Sequence, residues 1–206
     1  MITIWGRKNS FNVQKLLWLC DEIDCPWTQI DAGGQFGVNK QPEFLEKNPN
    51  GLVPLIEDGD FLLWESNSIV RYLAGKMGAE TLYPSDLQTR ADIDRWLDWQ
   101  LGTVWPTMRT VFLGLVRTPE AERDVDAIQT AWSKTSDLWK MVEERLVASP
   151  YICGAQFTLA DMALGILAYR WFAMGASSED FPHLHVWYQR LAEREAFRKY
   201  VMQPLT

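Results

Sequence analysis

Apolar residues at Val13, Leu16, Leu17 and Cys20 recur at i, i+3, i+4 and i+7, a spacing that predicts an amphipathic helix. Ile2-Thr3-Ile4-Trp5 ahead of it and Trp27-Thr28-Gln29-Ile30 behind it are short, β-branched and aromatic, so both predict strands. A helix between two strands makes a βαβ unit whose strands run parallel. After the glycine-bearing loop DAGGQFGVNK, a helix is predicted over Pro42 to Glu46, then a turn at Asn48-Pro49-Asn50-Gly51. Val53 to Ile56 and Phe61 to Trp64 then read as two antiparallel strands, with Asp58-Gly59 supplying the left-handed residues of a tight hairpin. Ser66 starts a further helix with Ile69, Val70, Leu73 and Met77 on its apolar face and Gly78 at its C-cap.

Beyond residue 80 the pattern is helical throughout. Ile93, Trp96, Leu97 and Leu101 form one stripe; Ile128, Trp132, Thr135, Leu138, Trp139, Val142 and Leu146 form another, whose helix is expected to start at Thr118-Pro119-Glu120. Thr158-Leu159-Ala160-Asp161 matches a capping box with Asp for the usual Glu or Gln, and Met162 to Tyr169 is apolar on every side, as a central core helix is. Phe181 to Val201 closes the chain with Leu184, Trp187, Leu191 and Phe197 on one helical face. The organisation is βαβ-ββα over residues 1–80, a linker at 81–87, and an all-helical domain over 88–206.

Composition narrows the function classes. A net charge of −7 argues against nonspecific affinity for nucleic acid or an anionic membrane surface. No run of apolar residues is long enough to span a membrane, and MITIWGRK does not open as a secretory leader does, so a cytoplasmic protein is expected. Cys20, Cys25 and Cys153 are odd in number and lack dithiol or zinc-site spacing, which predicts reduced structural thiols and no metal centre. Eleven tryptophans are more than an average chain carries, so aromatic side chains have structural or binding roles here.

Two helix starts carry the candidate chemistry. In GRKNSFNVQKLLWL, Asn9, Ser10 and Asn12 stand where a helix leaves its first N–H groups unpaired, and capping alone would account for them. A phosphate-binding loop is excluded, because Gly6 to Ser10 lacks the second glycine and the Lys-Ser/Thr that such a loop needs. At Glu65-Ser66 a strand gives way to a helix whose first-turn N–H groups can take an anion, and capping by Ser66 beside a solvated Glu65 would also account for the pair.

Four stretches, NSFNVQKLLWL, NPNGLVPLIEDGD, LLWESNSIVRYLA and FTLADMAL, together with the βαβ-ββα-helical layout, resemble the glutathione transferases along the whole chain. The resemblance implies a thioredoxin-like N-terminal domain that binds glutathione as co-substrate, a helical-bundle C-terminal domain that binds an electrophile, and a homodimer. It is strongest to bacterial and plant branches with a serine or threonine active site. Ser10, five residues before the basic Lys15, is then the thiolate stabiliser, with Asn12 as the rival. Val53-Pro54 resembles the family's cis-proline turn, Glu65 and Ser66 its γ-glutamyl subsite, and Lys40 its ligand for the glycyl carboxylate. Leu52 departs from the pattern, since many relatives carry Gln there. Asp161 resembles the family's capping-box aspartate, a folding residue.

For the electrophile, Trp105, Met108, Arg109 and Phe112 are spaced to share a helix face, although aromatic and Met stripes at such spacing more often belong to a core or an interface; Arg109, if it reaches the pocket, would favour anionic acceptors such as haloacids. The expected reaction is attack of an activated thiolate on a small electrophile, by conjugation or dehalogenation, as in detoxification. Glutathione-dependent disulfide reduction and a noncatalytic glutathione-binding module are the alternatives. No cysteine lies in residues 6–12, which argues against a glutaredoxin-like mechanism.

Overall fold

The computed structural model describes all 206 residues. They cluster into two compact units, Met1–Tyr83 with Glu195–Gln203, and Pro84–Arg194 with Pro204–Thr206. The first holds strands β1 (Ile2–Trp5), β2 (Trp27–Ile30), β3 (Leu55–Asp58) and β4 (Phe61–Trp64), and helices α1 (Phe11–Glu22), α2 (Pro42–Lys47) and α3 (Ser66–Lys76). The sheet order is β2-β1-β3-β4, with β1 and β2 parallel and the other pairs antiparallel. This is the βαβ-ββα order the patterning predicts and the thioredoxin-like domain the resemblance implies.

The register positions the site. Trp5 pairs with both Ile30 and Leu55, and Leu55 pairs with Trp64, so the end of β1, the start of β3 and the end of β4 leave the sheet along one edge. Pro54 disrupts pairing ahead of Leu55, which moves the third strand two residues beyond the expected Val53 start. In the hairpin, only Gly59 is left-handed (φ 61°), not Asp58.

The second unit contains α4 (Leu87–Trp99), α5 (Trp105–Phe112), α6 (Val125–Val147), α7 (Leu159–Ala173) and α8 (Pro182–Ala192). Between α4 and α5 lies a π-helical turn at Gln100–Val104, and a second follows at Leu113–Arg117. Because a π turn holds extra residue per revolution, the inward stripe slips. Gln100 becomes wholly buried and Leu101, expected inside, is 38% exposed. α6 begins at Val125 under an Asp124 cap that accepts from the Ala127 N–H, and Glu120–Glu122 forms only a short 3₁₀ turn, so the start expected at Thr118 is corrected.

The continuous closing helix is also corrected. It breaks at Glu193–Arg194 into α8 and α9 (Glu195–Tyr200), and α9 belongs to the first unit. There Phe197 packs edge-on against Trp18 at 4.8 Å, and Lys199 and Tyr200 both bond Asp21. No helix is long and apolar enough to cross a membrane.

All three cysteines are free thiols. Burial pushes Cys20 and Cys25 upward, and Cys153 up to about 12. Thiolate is the reactive form, so the folded protein at pH 8 should resist a disulfide reagent at all three positions. Denaturant should release all three; rapid labelling of any one without denaturant would contradict this burial.

Candidate functional site

At the sheet edge, the Gly6 N–H donates to the Ile30 carbonyl and the chain turns back into α1. A Cβ on Gly6 would lie 2.4 Å from Val13 Cγ2, so glycine is what allows this close return. Ser10 is the N-cap residue, with extended backbone (φ −82°, ψ 122°), and its carbonyl accepts from the Gln14 N–H. Its hydroxyl, however, makes no capping bond. A hydroxyl at the positive end of a helix is therefore not used to hold the helix.

Asn12, in the first turn of α1, accepts the Ser66 hydroxyl at Oδ1 over 3.0 Å. Ser66 is the first residue of α3, so this bond ties the N-terminal turns of the two helices together. Both turns point helix-start N–H groups and positive dipole ends the same way, a setting suited to anions. Glu65 precedes Ser66 with φ 71° and ψ 108°, and its side chain is exposed.

The Val53-Pro54 peptide bond is cis. Val53 is half-buried and Leu52 is 62% exposed, with the Leu52 carbonyl accepting from Asn48 Nδ2 at 2.8 Å. Asn39 Nδ2 donates to the Gly51 carbonyl over 2.6 Å. Lys40 is exposed, and its ammonium reaches within 3.1 Å of where a Gly51 Cβ would lie. The structure thus gathers Ser10 and Asn12 with Ser66 at the paired helix starts, puts Pro54 beside Glu65 at the hairpin's open end, and leads Lys40 to the segment entering Pro54.

Lys15 and Asn67 join this region, although sequence reasoning used Lys15 only as a spacing marker. Lys15 Nζ donates to Asn67 Oδ1 over 2.7 Å, and both residues are buried. Burial lowers the Lys15 pKa to about 7, with Glu65 acting to raise it and Arg71 to lower it further. The available signal was a lysine in a helix whose other faces are largely apolar.

Within the second unit, the four electrophile candidates lie on α5. Met108 is fully enclosed and Phe112 is 6% exposed, whereas Trp105 is half-buried and Arg109 exposed. The Phe112 ring is flanked by the Arg117 and Arg170 guanidiniums at 5.4 and 6.0 Å and by Trp105 at 6.3 Å. Of the four, only Trp105 and Arg109 offer appreciable surface.

Comparisons with known proteins agree with this architecture. The glutathione S-transferase N-terminal domain model matches residues 1–75, and the C-terminal domain model matches residues 103–195. Glutathione S-transferase GstB of Escherichia coli strain K12 is 42% identical over 208 aligned residues that cover both chains completely. A theta class glutathione S-transferase from Xanthomonas axonopodis pv. citri, solved with glutathione bound, is 45% identical with a TM-score of 0.94, covering 100% of this chain and 99% of that one. Glutathione transferase F2 of Populus trichocarpa is 25% identical with a TM-score of 0.89 over 98% of each chain. With sequence identity sustained from end to end and the same two-part fold, the chain belongs to the glutathione S-transferase family and is a glutathione transferase.

Proposed function

We propose that the enzyme lowers the thiol pKa of bound glutathione at Ser10 and directs the thiolate onto a small electrophilic carbon. The new C–S bond forms as a halide or another leaving group departs with its electron pair; addition to an activated double bond is the equivalent conjugation. The observation that carries this reading is the Ser10 hydroxyl, which sits at the head of α1 without capping it. An ordinary thiol of pKa about 8.5 is only a few per cent ionised at pH 7, and lowering it by about two units requires about 2.7 kcal/mol. One hydroxyl bond to a charged sulfur, worth about 1.5–3 kcal/mol, together with the helix dipole is sufficient.

In this reading the cysteinyl unit of glutathione pairs with the Val53 backbone beside Pro54. Its γ-glutamyl carboxylate takes the Ser66 turn, its ammonium faces Glu65, and its glycyl carboxylate meets Lys40. Asn12 orients Ser66 through their 3.0 Å bond. Trp105 and Arg109 contact the acceptor from α5, with Met108 and Phe112 as the packing behind them. Three free thiols suit a reducing compartment, so we place the enzyme in the cytoplasm, as a homodimer like its family.

The test is an ultraviolet difference titration of glutathione thiolate on the purified protein from about pH 5 to 9. The bound thiol should titrate about two units below free glutathione. Binding with an unshifted thiol would remove the proposed activation.

A further inference from the structure

The one wholly buried cation of the first unit lies beneath its two joined helix starts. Lys15 projects from α1 one and a half turns beyond Ser10, and its ammonium is held by Asn67, the neighbour of Ser66 in the first turn of α3. Asn67 Oδ1 and the carboxylate of Glu65 at the head of α3 favour the Lys15 charge, against burial and Arg71. An anion seated on the turn would favour it further, because it would also meet the turn's positive dipole end. We propose that Lys15 is a positioning residue for glutathione, its ammonium serving through Asn67 as the interior counter-charge to the γ-glutamyl carboxylate received by the Ser66 turn. This rests on the γ-glutamyl subsite proposed above.

The surroundings fix the direction of the effect. From α3, Glu65 and Arg71 act on Lys15 in opposite senses. From α9, Lys199 is engaged by Asp21 toward the far end of α1, and Arg198 and Glu195 complete that helix's charges. β1 carries no charged side chain. Without ligand, Lys15 is about half protonated near pH 7, so a docked carboxylate draws a proton onto it. Anion binding is then strongest below that pH and weakens as pH rises through it.

S-methylglutathione is the appropriate probe, because its sulfur carries no proton to confuse the titration. Its Kd for the wild-type enzyme should rise severalfold between about pH 6 and 8.5, up to about tenfold if a charged hydrogen-bonded contact is lost. Lys15→Met keeps the length of the side chain without its charge, and should bind weakly and independently of pH. Lys15→Arg stays charged throughout and should bind independently of pH near the wild-type acid value; if the methionine variant does not fold, the arginine variant decides. A wild-type pH slope surviving in either folded variant would overturn the role of Lys15. Ser66→Ala separates the two levels of argument: if it leaves S-methylglutathione affinity unchanged, the subsite itself is wrong, whereas a weakened Ser66→Ala beside a silent Lys15→Met removes the lysine alone.

Discussion

Ser10→Ala should return the thiol of bound glutathione to its ordinary range and lower kcat at pH 7 by roughly 10²-fold, the loss typical of removing one preorganised donor to a developing or stabilised anion. Glutathione KM should change little, because the proposed backbone and carboxylate contacts at Val53, Ser66 and Lys40 remain. The residual rate should climb with pH as the unassisted thiol ionises. A capping serine would behave differently, since its replacement by alanine costs about 1 kcal/mol of stability. The Ser10 hydroxyl makes no such bond, so the thermal midpoint should barely move. Paired kcat–pH profiles and melting curves read both quantities. A full-rate Ser10→Ala enzyme alongside a crippled Asn12→Ala would transfer the role to Asn12.

The largest stability effect is expected at Asp161, buried at the start of α7. Its carboxylate is wholly buried and accepts four bonds: Ile152 N–H and Trp187 Nε1–H on Oδ1, at 2.9 and 2.8 Å, and the Thr158 N–H and hydroxyl on Oδ2, at 2.9 and 3.0 Å. These bonds connect the start of α7 to the preceding loop and to α8. Asp161→Ala would strand four buried donors and open a cavity, costing roughly 3–5 kcal/mol, a large part of a typical domain's stability. The urea midpoint should fall steeply, with much of the expressed chain insoluble; a loss of unfolding free energy below about 1 kcal/mol would contradict the count of bonds. Burial raises this carboxyl to about 6 against the pull of its donors. Since that lies above the unfolded value of about 4, Asp161's contribution to stability falls as pH rises between the two and is level above them.

The four strands, the parallel and antiparallel pairs they make with their sequence neighbours, and the positions of α1, α3 and α7 were legible because their apolar periods agree with their turns; the order β2-β1-β3-β4, which sets β1 against β3, was not. Helix continuity was less legible. A π turn leaves no composition signature, and its effect was to put polar Gln100 inside and Leu101 at the surface, the reverse of the straight-helix reading. The break at Glu193–Arg194 likewise follows from tertiary packing, since Phe197 packs on Trp18 within the first unit rather than extending α8. At the candidate site, residues 10, 12, 65 and 66 stand out as polar side chains at helix starts, and the resemblance, not the junctions, gave them their expected roles. Their mutual contacts were not legible: that the Ser66 hydroxyl reaches Asn12, or that a lysine lies buried against Asn67, depends on how two helices meet whose contacting residues stand 54 and 52 positions apart.

Glu65 adopts φ 71°, a region L-residues rarely occupy and glycine enters freely. A non-glycine residue held there costs about 1–3 kcal/mol. Folding alone would therefore prefer glycine at this junction, and under the proposed role of Glu65 a carboxylate there exchanges robustness for recognition. Improving the enzyme's heat resistance by replacing its strained residues would begin at the position where its grip on substrate is expected to be most exacting.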